Sequence, residues 1–222
     1  MAEEPLTLYV EAFWLSPWTC TAFVALREKG LAFQTGIAML RHGVGAKDAL
    51  RDKTLTGTAP VLQHGTMFIA ESLAIIEYLE DTFTADAWPR ILPADRRERA
   101  RARQLLSWLR IGTTALRRER PTERIFYPPG VRPPLSDEAR RDLDDLVYVA
   151  ERLGAGASGT LFGDAFGVVD CDMAFALQRA ITGGAEVPAA IAAYADAVWT
   201  RPSVHEYVAH PRPPNPPLPL GA

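Results

Sequence analysis

Three short runs in the first third of the chain carry residues able to hold charged groups: Ser16-Pro17, Ala59-Pro60 and Glu71-Ser72. The first lies between a short apolar run, Leu6 to Val10, and an apolar-rich stretch, Ala22 to Leu26, that closes on Lys29-Gly30. That order reads as strand, loop, helix, with Ser16 as N-cap and Pro17 as the first helical residue. A hydroxyl there sits beside the partly positive end of a helix, where N–H groups favour an anion. The competing reading is that Ser16 only caps its helix. Pro60 opens a strand candidate, as befits a residue that cannot donate to a ladder. A cis bond before it would present the Ala59 backbone N–H and C=O to a ligand. In the third run Glu71 can take a cation, and the Ser72 hydroxyl and N–H can take a carboxylate. Here too the plain alternative is an N-cap at Ser72.

The elements that must position these residues alternate in type. Leu6 to Val10 is a strand, Pro17 to Lys29 a helix ending at Gly30, and Ala32 to Met39 a second strand. Gly43 to Leu55 is polar, with one short helix near Lys47 to Arg51. Pro60 to Gln63 and Met67 to Ala70 are strands joined by a His64-Gly65-Thr66 turn. Glu71 to Phe83 spaces Leu73, Ile76, Tyr78 and Leu79 along one helical face. The expectation is a domain over 1–84, a linker over 85–95 and an all-helical domain over 96–210. The helices expected there are Arg96 to Arg120, Ser136 to Leu153, Val168 to Ile181, Pro188 to Trp199 and a short one after Pro202. Ser136 caps an acidic first turn. Residues 211–222 form a Pro-rich tail, extended or disordered, to which no chemistry is assigned.

Composition narrows the class. With 48% hydrophobic and 23% charged residues, the chain is an ordinary globular one. A formal charge of −3 gives no support for a nucleic-acid partner. The arginines at 96, 97, 99, 101 and 103 are interleaved with Glu98 and read as a solvated helix face or one edge of a subunit contact. The N-terminus is acidic and lacks the apolar core of a secretory signal. No apolar run approaches the roughly 20 residues that span a bilayer. Cys20 and Cys171 make no disulfide framework, so the protein reads as cytoplasmic and reduced, without a membrane partner. Cys171 stands beside Asp170 and Asp172 but has no His within ligand spacing, and no metal is expected.

With these residues in place, the chain resembles the cytosolic glutathione transferases over about residues 6 to 210. Ser16-Pro17-Trp18 followed by Val24-Ala25-Leu26-Arg27-Glu28-Lys29-Gly30 is similar to the serine-type members. Glu77-Tyr78-Leu79-Glu80-Asp81, Arg99-Ala100-Arg101-Ala102-Arg103-Gln104 and Glu119-Arg120-Pro121-Thr122 resemble runs of the bacterial YfcF-type group. The resemblance implies an α/β thioredoxin-like N-terminal domain, an all-α C-terminal domain and a cytoplasmic homodimer. Glutathione would be the co-substrate and a small electrophile or hydroperoxide its partner. The resemblance also implies a cis bond before Pro60, backbone pairing of Ala59 with the cysteinyl part of glutathione, and a grip by Glu71 and Ser72 on its γ-glutamyl ammonium and carboxylate. Ser16 would donate to the sulfur; it assists the nucleophile and is not itself the nucleophile. Free thiols ionise near a pKa of about 8.5, so a donor at a helix N-terminus would raise the thiolate fraction at neutral pH.

Some features depart from the pattern. The basic residue that many serine-type members carry two before the cis proline is Thr58 here, leaving Lys47 or Lys53 for the glycyl carboxylate, with Lys47 favoured. Gly167 stands where the second domain usually has Ser or Thr three before Asp170, so half of that capping box is missing and Asp170 is read as structural. Walls of an electrophile pocket are expected from Phe13, Trp14 and Trp18 of the first loop and from Trp108 and Ile111 of the long helix. Cys20, one turn past Ser16, reads as packing. The alternatives carried forward are glutathione-dependent peroxidase or disulfide reductase activity and a non-catalytic glutathione-binding protein.

Overall fold

The computed structural model describes residues 4–38, 50, 52–127, 130, 132–155, 159–163 and 165–214. Lys47 and the short helix expected near it lie outside the described residues. Contacts divide the chain into two units, one through Ile91 together with Glu206–Arg212, the other Leu92–His205 with the residues from Pro213 on.

The first unit is built on a four-stranded sheet of order β2-β1-β3-β4. β1 (Leu6–Glu11) alternates buried and half-buried side chains, so Leu6, Leu8 and Val10 enter the core while Thr7, Tyr9 and Glu11 face the other way. Helix α1 (Pro17–Glu28) crosses to the parallel β2 (Gln34–Ala38), and β3 (Val61–His64) and β4 (Met67–Ala70) follow as an antiparallel hairpin. Gly65 at φ +57° supplies the left-handed turn residue the hairpin requires. Residues 19–26 of α1 are all buried, which marks a helix enclosed by its own unit. α2 (Ser72–Thr82) buries Ser72, Ile75, Ile76 and Leu79; Leu73 and Tyr78, expected on that face, are half-buried.

The expected linker is partly tied into this unit. Lys29, 2% exposed, donates from Nζ to Phe83 O at 2.8 Å and Pro89 O at 3.1 Å and pairs with Glu80 at 3.0 Å. Glu80 also accepts the Ile91 N–H at 2.9 Å. A buried ammonium and carboxylate are tolerable because these bonds meet them on several sides.

The second unit is helical. The single helix expected from Arg96 to Arg120 is two, α3 (Arg96–Ile111) and α4 (Thr114–Glu119). The break is conformational: Gly112 is extended at φ −79° and ψ −175° and Thr113 takes φ +52°, and glycine is needed at 112 because a Cβ there would lie 2.9 Å from Trp108 O. The sequence reading missed α5 (Glu123–Phe126). α6 (Asp137–Arg152) is capped by Ser136, which accepts from Ala139 N at 3.2 Å. α7 (Val168–Thr182) is buried on nearly every side and packs against α3, α5, α6 and α8 (Ala189–Trp199). Arg179 is among its buried residues. It donates to Arg120 O at 2.6 Å, and burial lowers its pKa to about 10. α9 (Pro202–Val208) ends within the 206–212 segment of the first unit.

Candidate functional site

Sheet register collects the three runs at one end of the first unit. Val61 pairs with Tyr9 on one side and with Ala70 on the other. Pro60, one residue before Val61, therefore lies where β1 runs out toward the Ser16 loop, and Glu71 is one residue past Ala70. The Ala59–Pro60 bond is cis.

Ser16 is the N-cap of α1, with extended backbone at φ −69° and ψ 120° and Pro17 following it. Its Oγ accepts the Thr19 N–H at 3.3 Å, which uses a lone pair and leaves the O–H able to donate elsewhere. Its side chain is half-buried, and α1 has no acidic residue in its first turn to compete for the helix end. A hydroxyl donor at a helix N-terminus with no acidic residue in its own first turn is suited to an anion, with the Glu11 carboxylate on Ser16 N at 3.0 Å as the competing negative charge.

The loop leading to Ser16 is organised by a residue that sequence reading passed over. The Glu11 carboxylate accepts from Phe13 N at 2.7 Å, from Ser16 N at 3.0 Å and from Leu15 N. Trp14, between them, has φ +53°, rare for a bulky residue. The available signal was the accounting one: loop N–H groups need acceptors, and Glu11 is the carboxylate next to them in sequence. The bonds from Tyr207 OH to Ser16 O (3.0 Å) and from Arg212 to Trp14 O (2.8 Å) join residues nearly 200 positions apart and left no local signal.

At the second and third runs, Thr58 Oγ donates to Glu71 Oε1 at 2.6 Å, so the segment before Pro60 and the start of α2 are directly joined. Glu71 is exposed and takes φ +71°, ψ 117°, a conformation that non-glycine residues avoid and that clusters at functional positions. Glu71 occupies the N-cap position without a side-chain cap bond, and Ser72 is the first helical residue, 4% exposed. The plain reading of Ser72 as the cap does not hold.

The expected pocket residues separate. Phe13 and Trp18 are half-buried beside Ser16 in sequence, whereas Trp14 is 5% exposed and belongs to the core. Its ring stacks on His210 at 3.6 Å and meets Tyr207 and Phe23 at 5.2 and 5.9 Å. Trp14 is thus corrected from pocket wall to packing residue. Trp108 is half-buried near the end of α3, and Ile111, its last residue, is 77% exposed. Lys53 lies over the Phe68 ring at 4.7 Å. Cys20 is fully buried on α1, one turn past Ser16. Among the described residues, no group of three or more His, Cys, Asp or Glu could hold a metal ion.

In the second unit, Asp170 accepts from Leu161 N at 2.7 Å, Gly167 N at 2.9 Å and Tyr194 OH at 2.9 Å. Burial nevertheless raises its pKa, against the pull of those bonds. Gly167 has no side chain to return a cap bond, so only the Asp170 half of the box exists.

Two family models match in the order of the two units. Residues 15–82 match the glutathione S-transferase N-terminal domain and residues 95–212 the C-terminal domain, the latter more than half of the chain. The chain belongs to the glutathione S-transferase family. Glutathione S-transferase U22 of Arabidopsis thaliana is 30% identical over 173 residues, 78% of this chain and 72% of that protein. With glutathione S-transferase U28 of the same plant, identity is 35% over 103 residues, and the match spans 44% of that relative's length. A glutathione transferase homolog from Burkholderia, solved with bound glutathione, is 33% identical with a TM-score of 0.75, covering 93% of this chain and 97% of that one. A glutathione S-transferase from Rhodospirillum rubrum matches at 26% identity and a TM-score of 0.70, covering 94% of this chain and 96% of that one. The family fold, a thioredoxin-like mixed sheet followed by a helical domain, is the fold of this chain.

Proposed function

We propose that this family member is a glutathione transferase in which Ser16 donates a hydrogen bond to the glutathione sulfur and stabilises its thiolate. The observation that carries the reading is the Ser16 hydroxyl at the N-terminus of α1, accepting from Thr19 N and still able to donate. A charge-assisted bond to the anion, together with the helix end, favours the ionised thiol. The proton leaves to solvent, the sulfur lone pair attacks an electrophilic carbon, and the leaving group departs with the bonding pair.

Placement supports the remaining roles. Ala59, two residues before β3, lies at the end of the sheet where its backbone would pair with the cysteinyl part of glutathione. Exposed Glu71 would take the γ-glutamyl ammonium, with Thr58 orienting its carboxylate, and Ser72 would take the carboxylate. Lys47, with Lys53 as the alternative, is proposed for the glycyl carboxylate in place of the basic residue that Thr58 replaces. Phe13, Trp18, Trp108 and Ile111 remain the residues proposed to face the electrophile. Membership of the serine-type YfcF-like group, a cytoplasmic location and a homodimer also rest on the resemblance. Among the described residues no helix is long and apolar enough to cross a membrane.

Full burial of Cys20 speaks against the disulfide-reductase alternative, since a reactive thiol must be reached. The deciding experiment titrates the thiol of bound glutathione by its ultraviolet thiolate absorbance in the wild type and in Ser16→Ala. The expected result is a pKa raised by about one unit or more in the variant. An unchanged pKa and conjugation rate would remove Ser16 from the mechanism, and binding without turnover in the wild type would favour the non-catalytic alternative.

A further inference from the structure

The loop 12–16 is held by two sets of partners. Glu11 takes its N–H groups, and the segment Glu206–Arg212 takes its carbonyls. Arg212 donates to Trp14 O from Nη2 at 2.8 Å and from Nε at 3.2 Å. The same guanidinium is fixed by the end of α9, bonding Val208 O and His210 O at 2.8 Å and Tyr207 O at 3.3 Å. A planar fork with five donors spans both sets of carbonyls in a way a point charge cannot. Tyr207, fully buried, donates to Ser16 O at 3.0 Å, beside the Cys20 N–H on the same oxygen. His210 stacks on the Trp14 indole. The exposed Arg27–Glu206 pair at the start of the segment adds little.

We propose that Tyr207 and Arg212 are positioning residues for the Ser16 hydroxyl, holding the backbone carbonyls of Ser16 and Trp14 while Glu11 holds the N–H groups of the same loop. The proposal rests on the reading of Ser16 as the thiol's donor. Without these two side chains the Trp14 carbonyl loses both bonds from Arg212 and the Ser16 carbonyl loses the Tyr207 hydroxyl, leaving Trp14 N on Glu11 O at 3.1 Å and Cys20 N on Ser16 O at 3.0 Å to hold the loop less fully, and Ser16 shifts. Small displacements matter here: a misplacement of about 1 Å at a reacting group costs about 100-fold in rate.

The groups facing the loop are Glu11 from β1, Cys20 from α1, and Tyr207, His210 and Arg212 from the C-terminal segment. Burial, with Cys20 and Glu11 beside it, pushes the Tyr207 hydroxyl well above its ordinary range and keeps it a donor. Burial and Arg212 lower the His210 pKa, so it stacks on Trp14 as a neutral ring near neutral pH.

The test compares full-length wild type, Tyr207→Phe, Arg212→Lys and Ser16→Ala for the pH profile of conjugation of glutathione to an activated aryl halide, and for glutathione Kd. Arg212→Lys keeps the charge and loses the fork. It should lower kcat/KM about tenfold near pH 6.5 and move the thiol pKa up by about one unit, with Kd changed less than about twofold. Tyr207→Phe keeps the ring and should produce about a threefold loss in the same direction. If both profiles overlay the wild type while Ser16→Ala shifts its own, the positioning roles are wrong and Ser16 stands. If Ser16→Ala overlays too, the reading of Ser16 fails and takes the proposal with it. Should Arg212→Lys not fold, Tyr207→Phe decides: an unmoved profile overturns the proposal.

Discussion

Two helix N-termini in this protein begin alike and end in opposite conditions. α7 is closed from within: Asp170 reaches back to Gly167 N, takes Leu161 N and is bonded by Tyr194, all buried. α1 has no acidic residue in its first turn, and its cap, Ser16, is half-buried with an O–H still able to donate. The first terminus is answered by a buried carboxylate from its own first turn; the second is answered by Glu11 from β1, which meets Ser16 N at 3.0 Å and leaves the Ser16 O–H able to donate. A capping residue is therefore structural or chemical according to what else answers the helix end.

The largest effect expected from breaking this contrast is on stability at α7. Asp170→Ala leaves two buried N–H groups and a tyrosine hydroxyl without their acceptor and should cost about 3 kcal/mol in urea unfolding, with activity per folded molecule unchanged. Because burial raises the Asp170 pKa above 3.8, its contribution is complete below that value and declines as pH rises through the folded pKa. The deficit of the variant should thus be larger near pH 4 than near pH 7, a difference to be read by unfolding at about both values.

Ser16→Ala should do the reverse. It should lower kcat/KM about 100-fold at neutral pH, as loss of a preorganised donor does, and cost about 1 kcal/mol or less of stability. Equal losses in both quantities would erase the contrast. Glu71→Gln should weaken glutathione binding about tenfold by calorimetry, whereas Glu71→Gly should weaken it as much while raising stability by about 0.5–1 kcal/mol, since glycine accepts φ +71°. The smallest effect is at Thr58→Val, where loss of the bond to Glu71 should raise the glutathione Kd about twofold to threefold.

Legibility followed the range of the interaction. Strands, hairpin and most helices were readable because periodicity, caps and turn residues act within a few positions. Ser16 and Ser136 took the cap positions, and Pro17 the first helical position, that they announced. The break after Ile111 was passed over because Leu105, Leu106, Trp108 and Leu109 make a helical pattern; Gly112, the C-cap, was its one local signal, and the positive φ of Thr113 left none. Trp14 read as a pocket wall because an aromatic next to a site serves packing or binding equally well in sequence. Its burial depends on Tyr207 and His210 from the far end of the chain. The N-cap alternative at Ser72 stood open because the sequence is silent about which residue takes positive φ, and Glu71 takes it.

By itself the sequence determined the order of strands and helices, the presence of a hydroxyl at one helix start and a carboxylate at the start of another, and kinship with a family. Those features depend on local propensity and on residue identity, both of which are written along the chain. Only the tertiary structure decided that β3 pairs with both β1 and β4, and so brings Ala59, Glu71 and the Ser16 loop to one end of the sheet. It alone brought the Glu11 carboxylate to the N–H groups of that loop and the Arg212 guanidinium to its Trp14 carbonyl. The physical reason is that buried N–H and C=O groups accept partners from any point of the chain that packing brings near, and sequence separation carries no record of that choice.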